Sequence, residues 1–427
     1  MKELSEVLRD QAGRGERAYA ALDVPAESAS RFVDGVRATR RRQRAGALAM
    51  SIVAIAAVSA GVVSLTTRQD EPAVVPPSPG TVVWSVDVGS ESWSSPALLG
   101  GDLVVTAADD GVIRGFDVET GDALWEVNTG DSVRGAVAVA GGMAFASSQD
   151  GLVYAIAPDG ELVWSTEVSP ANPVRAPWQP MSAAPLPVGD AVCLGDHVGT
   201  VTCLNRLDGT VLWTAQIGGR VSAQAASDGE TLFVGADDAH MYALDLDSGV
   251  QVWAVNVGGE VASAPAVADG VVVAGNRGTE VVGIDALTGE RLWTVSMGTS
   301  WAESAPVVVD GIAYFGSSAA GQVVGADISD GSVVWRAEVG GMPWARPSAA
   351  GDMVYASSVR TGNQLPWDGA VYAIDKETGK ILWSVPVNPA LRWQPEGPGY
   401  GVGTEPLVTE DLVIFTALDG VVYAIAR

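Results

Sequence analysis

Only two cysteines, Cys193 and Cys203, and two histidines, His197 and His240, occur in 427 residues. So few cysteines exclude a disulfide framework. Two histidines give little support to a histidine-based zinc site or a Ser-His-Asp triad. Basic residues are also scarce, 25 Lys and Arg against 51 Asp and Glu, for a net charge of −26. The deficit is local: residues 1–44 carry ten basic and seven acidic residues, whereas residues 72–427 carry 14 and 42. So negative a body is repelled by phosphate backbones, which argues against nucleic-acid binding. It reads as the solvated surface of a self-repelling extracytoplasmic domain. The glycine-rich stretches lack a following helix and are turns, not phosphate loops.

Long apolar runs are missing too, with one exception. Between Arg44 and Arg68 lie 23 uncharged residues, of which Ala45–Leu65 is strongly apolar. As a helix this run spans roughly 30 Å, one hydrocarbon core. Arg37, Arg40, Arg41, Arg42 and Arg44 crowd its N-terminal side. The positive-inside rule then places residues 1–44 in the cytoplasm, a transmembrane helix over 45–67, and the remainder outside the cell membrane. A cleaved signal peptide is the competing reading, since Val58-Ser59-Ala60 has cleavage-like small residues, but the charged lead is long for one. That lead reads as two short helices broken around Asp23-Val24-Pro25, too short for a core. Residues 68–80, proline-rich, form an extended linker.

Glycine and tryptophan dominate the rest of the chain. Trp84, Trp125, Trp164, Trp213, Trp253, Trp293, Trp335 and Trp383 recur at intervals of 41, 39, 49, 40, 40, 42 and 48 residues. Each period holds four strand-like runs, and Asp-Gly pairs such as Asp110-Gly111, Asp150-Gly151 and Asp419-Gly420 mark hairpins. A period of about 40 residues with four strands denotes a β-propeller. The last repeat stops one strand short, at Val421–Ile425, and Thr81–Gly89 is an orphan outer strand bearing Trp84. Joining them makes an eighth blade and removes the open edge. Residues 81–427 are thus expected to form an all-β, eight-bladed propeller. If the turn between them matches those of the other blades, taken as two residues, Cys193 pairs with Leu204 and Cys203 faces the opposite side; a disulfide would then need a bulge, so two separately buried thiols are expected.

The segments Ala243–Trp253 (ALDLDSGVQVW), Gly283–Trp293 (GIDALTGERLW), Gly325–Trp335 (GADISDGSVVW) and Ala373–Trp383 (AIDKETGKILW) resemble the tryptophan-docking repeat of quinoprotein alcohol dehydrogenase-like propellers. Cys203–Trp213 is a looser copy, and Ala155–Trp164 is one residue short. The resemblance covers roughly 81–427. It implies that each repeat indole packs on a glycine-containing turn of a neighbouring blade. This superfamily includes pyrroloquinoline-quinone (PQQ) dehydrogenases, BamB-like outer-membrane assembly lipoproteins and membrane-tethered sensor domains. The dehydrogenases share an adjacent Cys-Cys pair, a Ca²⁺ held by Glu, Asn and Asp, and a catalytic Asp. No Cys-Cys occurs here, and no such Glu/Asn/Asp set matches, so no catalytic or metal residue is assigned and no cofactor is expected. The assembly lipoproteins are anchored through an N-terminal cysteine, and this chain has none before Cys193. Asp109-Asp110 and Asp237-Asp238 suit Ca²⁺, but turns favour Asp for backbone reasons.

In a propeller the outer-to-inner and second-to-third-strand connections share one end. Three long loops belong to these classes: Ser169–Ser182, Val359–Gly369 and Asn388–Gly403. Loops on a rigid scaffold commonly carry function, which makes this end the expected working face. Six tryptophans outside the repeat, Trp93, Trp178, Trp301, Trp344, Trp367 and Trp393, fall in such connections, near Arg134, Arg175, Glu303, Arg346 and Arg392. Aromatics with a few charges describe a protein hot patch or a small-molecule pocket. Packing of the loops over the channel mouth explains them as well. The expected protein is a membrane-anchored, extracytoplasmic, non-catalytic binding scaffold or sensor for protein or envelope ligands. The alternative is a PQQ- and Ca²⁺-dependent dehydrogenase acting on an alcohol or sugar.

Overall fold

The computed structural model describes residues 77–169, 183–298, 302, 304–317, 320–360, 369–387 and 400–427. The expected cytoplasmic segment and membrane helix lie outside the described residues. Among those described, no helix is long and apolar enough to cross a membrane.

Strands of two to six residues pair in sequence order into antiparallel four-stranded sheets. Blade one runs from its inner strand Ala97–Leu99 through Leu103–Ala107 and Val112–Asp117 to the outer strand Ala123–Asn128. Six further sheets repeat this order with minor variation, as far as Ile381–Pro386. The eighth joins the two ends of the propeller sequence: Val82–Asp87 lies outermost against Val421–Ala426, with Leu412–Thr416 and Leu407–Val408 inside. The expected eight-bladed propeller, with Trp84 on the closing strand, is therefore the fold.

Burial follows the radial position of each strand. Second and third strands, such as Leu103–Ala107 and, in the neighbouring blade, Met143–Ser147 and Leu152–Ile156, are buried on both faces because sheets cover them on either side. Inner strands are short and rich in alanine, because they converge on the axis. Outer strands alternate, with one edge towards solvent. At the closing seam Trp84, Val104, Phe116, Ile414 and Val422 form one apolar cluster, and Thr416 Oγ1 donates to the Ser94 carbonyl at 2.8 Å.

The repeat indoles sit between blades. Trp293 is 8% exposed, and its Nε1 donates to the Ile328 carbonyl of the next blade at 2.6 Å. Its ring lies over Gly331, whose φ is +74° and whose hypothetical Cβ would fall 2.9 Å from the indole. Trp84, Trp125, Trp164, Trp213, Trp253 and Trp335 donate in the same way to Val118, Pro158, Arg206, Leu246, Ala286 and Lys376. Trp383 lies beside Gly80 at the start of the closing strand.

The cysteines correct the expectation drawn from the sequence. Cys193 pairs directly with Cys203, and the two form a disulfide with Cα atoms 4.1 Å apart. The hairpin is closed not by a two-residue turn but by His197, Val198 and Gly199, with Asp196 N–H bonded to the Thr200 carbonyl and Gly199 at φ +84°. A three-residue loop ending in a left-handed glycine shifts the pairing by one residue, which brings both thiols to one face.

Candidate functional site

The end bearing the long loops is built on backbone pairing outside the blades. Residues 170–182, 361–368 and 388–399 lie outside the described residues, but the flanks of the last two loops are seen. Val359–Arg360 pairs with Tyr400–Gly401, and Val359 exchanges two hydrogen bonds with Met342, of 2.8 and 3.0 Å. Two loops and the lead into blade seven are thereby tied together. Gly401 is required at this crossing. Its φ is +118°, and a Cβ would come within 2.6 Å of the Ser358 carbonyl oxygen.

Three leads into inner strands share a spacing before proline: Trp93-Ser94-Ser95-Pro96, Trp344-Ala345-Arg346-Pro347 and Gly403-Thr404-Glu405-Pro406. They belong to blades one, seven and eight, which are consecutive around the ring. Trp93 and Trp344 reach across blade eight and stack, with ring centroids 6.3 Å apart and planes inclined by 27°. The intervening position is glycine: a Cβ on Gly403 would lie 2.8 Å from the Trp93 ring. Both indoles are half-buried.

Below them the residue before each proline is polar. Glu405 donates its N–H to Ser95 Oγ at 2.9 Å, and the Ser348 hydroxyl lies 3.5 Å from Glu405 Oε1 while donating to the Pro406 carbonyl. Burial pushes the Glu405 carboxyl above its ordinary range, with the Arg346 guanidinium and the Ser348 hydroxyl opposing. Two donors are left over. Trp344 Nε1 and Arg346 Nε are both buried, and neither has a hydrogen-bond partner.

Three other arginines at this end are satisfied. Arg134 pairs with Asp109, Arg220 with Asp237, and Arg277 with Glu260. Burial, then the neighbouring Asp109, raises the Glu91 carboxyl despite Arg134. Asp110 accepts the Val112 N–H at 3.0 Å and Asp238 the His240 N–H at 3.1 Å, so these aspartates serve their own turns. Among the described residues no cluster of three or more His, Cys, Asp or Glu is arranged to hold a metal.

The sequence-predicted residues thus divide. Trp93, Trp344 and Arg346 come together; Arg134 belongs to an ion pair elsewhere on the ring. Trp178, Trp301, Trp367, Trp393, Arg175, Glu303 and Arg392 lie outside the described residues. Sequence reasoning missed Glu405, Ser348 and Gly403. Aligning the repeats on their prolines rather than their tryptophans finds them, because that places Glu405 beside Arg346 and Gly403 between the two indoles.

The donor set does not fit the PQQ site of the dehydrogenases. Both cysteines are joined to each other on adjacent strands, fully buried within blade three, and supply no adjacent Cys-Cys pair at the channel mouth.

A family model described as outer membrane protein assembly factor BamB matches residues 34–199 and 197–367. Proteins of that description include one from Yersinia pestis, 23% identical over 71% of this chain and 70% of its own length. Another, from Burkholderia pseudomallei, is 28% identical over 37% of this chain and 43% of its own. Among solved structures, BamB from Moraxella catarrhalis superposes with a TM-score of 0.64 at 20% identity, covering 82% of this chain and all of that one. A quinohemoprotein alcohol dehydrogenase from Comamonas testosteroni gives 0.61 at 14% identity, over 81% of this chain and 76% of its own. At such identities the structural likeness speaks for the fold alone. The family match spans well over half the chain, and this protein belongs to the BamB-like family of β-propellers.

Proposed function

We propose that this propeller is a non-catalytic binding scaffold of the cell envelope, anchored through residues 45–67 and engaging a protein partner through the long-loop end. The observation that carries the reading is the pair of half-buried indoles, Trp93 and Trp344, stacked at that end near the paired flanks of two long connections, Val359–Arg360 and Tyr400–Gly401. Aromatic anchors surrounded by loops are what protein hot spots are made of. The BamB-like relatives, described as outer membrane protein assembly factors, favour a protein partner over a small substrate. The Cys193–Cys203 disulfide suits an oxidising, extracytoplasmic compartment.

The test is affinity capture from cells producing the full-length chain. Partners recovered with the parent should be lost with Trp93→Ala and Trp344→Ala and retained with Leu124→Ser on an outer strand. Equal recovery with all three would overturn the assignment of the face. A sensor role adds a requirement, that deleting residues 1–36 abolishes the cellular phenotype while capture persists. A bound-cofactor spectrum and dye-linked alcohol oxidation after adding PQQ and Ca²⁺ would instead establish the dehydrogenase reading.

A further inference from the structure

Arg346 differs from Arg134, Arg220 and Arg277 at the long-loop end. It forms no ion pair among the described residues, although the protein carries 51 carboxylates. Its Nε–H is buried without an acceptor, and so is the indole N–H of Trp344, two residues earlier on the same lead. A buried donor left without an acceptor costs stability, more so when it is charged. Two such donors, two residues apart on one lead, are a standing cost that an acceptor reaching them removes. Glu405 is the nearby carboxyl, and the Arg346 charge opposes the effect of burial on it, yet the two form no ion pair and its Oε1 lies 3.5 Å from the Ser348 hydroxyl. The half-buried, stacked indoles of Trp93 and Trp344, the second of which carries one of these donors, offer apolar surface.

We infer that the mouth of the propeller between blades seven, eight and one is a binding site for a single carboxylate attached to an apolar or aromatic group. One carboxylate oxygen accepts from Arg346 Nε–H and the other from Trp344 Nε1–H, while the attached group lies against the indoles. A planar guanidinium edge suits a carboxylate, and charge-assisted hydrogen bonds are the strong ones. Polyanions are disfavoured by the acidic body, which points to one negative charge. The carboxylate belongs either to a free acid or to the C-terminus of a polypeptide. The inference rests on the long-loop end being the working face, but its readout is direct binding, so a failed partner capture leaves it standing.

The experiment is calorimetric titration of the full chain in detergent micelles with benzoate and with benzamide, its neutral counterpart. A further pair is the dipeptide acetyl-Gly-Phe with a free or an amidated C-terminus. Benzoate should bind at least tenfold more tightly than benzamide. Trp344→Phe, which keeps the ring and loses the N–H, and Arg346→Lys, which keeps the charge and loses Nε–H, should each weaken benzoate about tenfold, or about 1.4 kcal/mol. Tighter binding of the free-ended dipeptide than of benzoate assigns the carboxylate to a chain terminus, and the reverse order to a free acid. Benzamide binding as well as benzoate, no binding of either acid at millimolar concentration, or unchanged binding in both variants would overturn the site. Thermal unfolding of the variants at the parent temperature keeps a loss of binding separate from a loss of fold.

Discussion

At the scale of single residues, the repeat is held by an indole, a carbonyl and a glycine. Each repeat indole withdraws on the order of 200 Å² from water, an upper bound of about 5 kcal/mol. Its N–H adds about 1 kcal/mol. Gly331→Ala meets both a left-handed φ and the Trp293 ring, and is expected to destabilise the propeller by about 1–3 kcal/mol in urea unfolding. Trp293→Phe, which gives up the bond to Ile328, should cost about 1–2 kcal/mol by the same measurement. Glu405 makes a pH-dependent contribution of defined sign. Its folded value lies above the ordinary 4.5 because burial disfavours the charge. Its contribution is therefore intact below that ordinary value and is lost as pH rises through the raised one. Glu405→Gln, fixed in the neutral form, should melt higher than the parent at pH 7, the two curves converging towards about pH 4. Equal melting temperatures at both pH values would show that the carboxyl is solvated.

At the scale of elements, hydroxyl groups on second strands and blade leads join neighbouring blades where apolar contact ends. Ser147 donates to Ala183, Ser304 to Ala345, Ser357 to Thr404 and Thr416 to Ser94, each bond reaching the carbonyl of an adjoining lead. Buried serines and threonines are tolerated here because every one of these four hydroxyls has found a carbonyl. Blade three carries the one covalent addition among the described residues. The disulfide spans ten residues within a single hairpin, so it constrains the unfolded chain over a short loop. Replacing both cysteines by alanine is expected to lower unfolding free energy by about 2–3 kcal/mol while leaving the circular dichroism of the folded state unchanged. The hairpin was legible as a hairpin, but its register was not. A difference of one residue in the turn decides whether Cys203 faces Cys193, and Asp-Gly-like sequences accommodate either loop length.

At the scale of the whole molecule, closure is the decisive event. The strand Val82–Asp87 comes from one end of the propeller sequence and pairs with Val421–Ala426 from the other. Without it the third strand of blade eight presents an unpaired edge and the indole of Trp84 leaves its slot on blade one. Deleting residues 77–87 should give a chain that elutes as soluble aggregate in size-exclusion chromatography, whereas deleting residues 1–36 should leave the propeller's unfolding temperature unchanged. The ring also determines which parts of the sequence meet. Trp93 and Trp344 are separated by most of the chain, yet they lie two blades apart around the closure, with blade eight between them.

The amino-acid sequence alone determined the architecture: the tryptophan spacing, the four strands per period and the orphan strand at Thr81–Gly89 specified eight blades and their closure. A repeat is legible because each copy states the same local rule, apolar second and third strands and a glycine under an indole. The site is not repeated, and so it was only half legible. Trp93, Trp344 and Arg346 stood out as departures from the pattern, whereas Glu405, Ser348 and Gly403 look like ordinary members of the repeat. Only the closed ring brings Arg346 and Glu405 to adjacent positions beneath two stacked indoles. Only the burial that follows leaves two donors there without acceptors. Adjacency across a closure, and the desolvation it imposes, are properties of the tertiary structure and have no counterpart in a linear spacing.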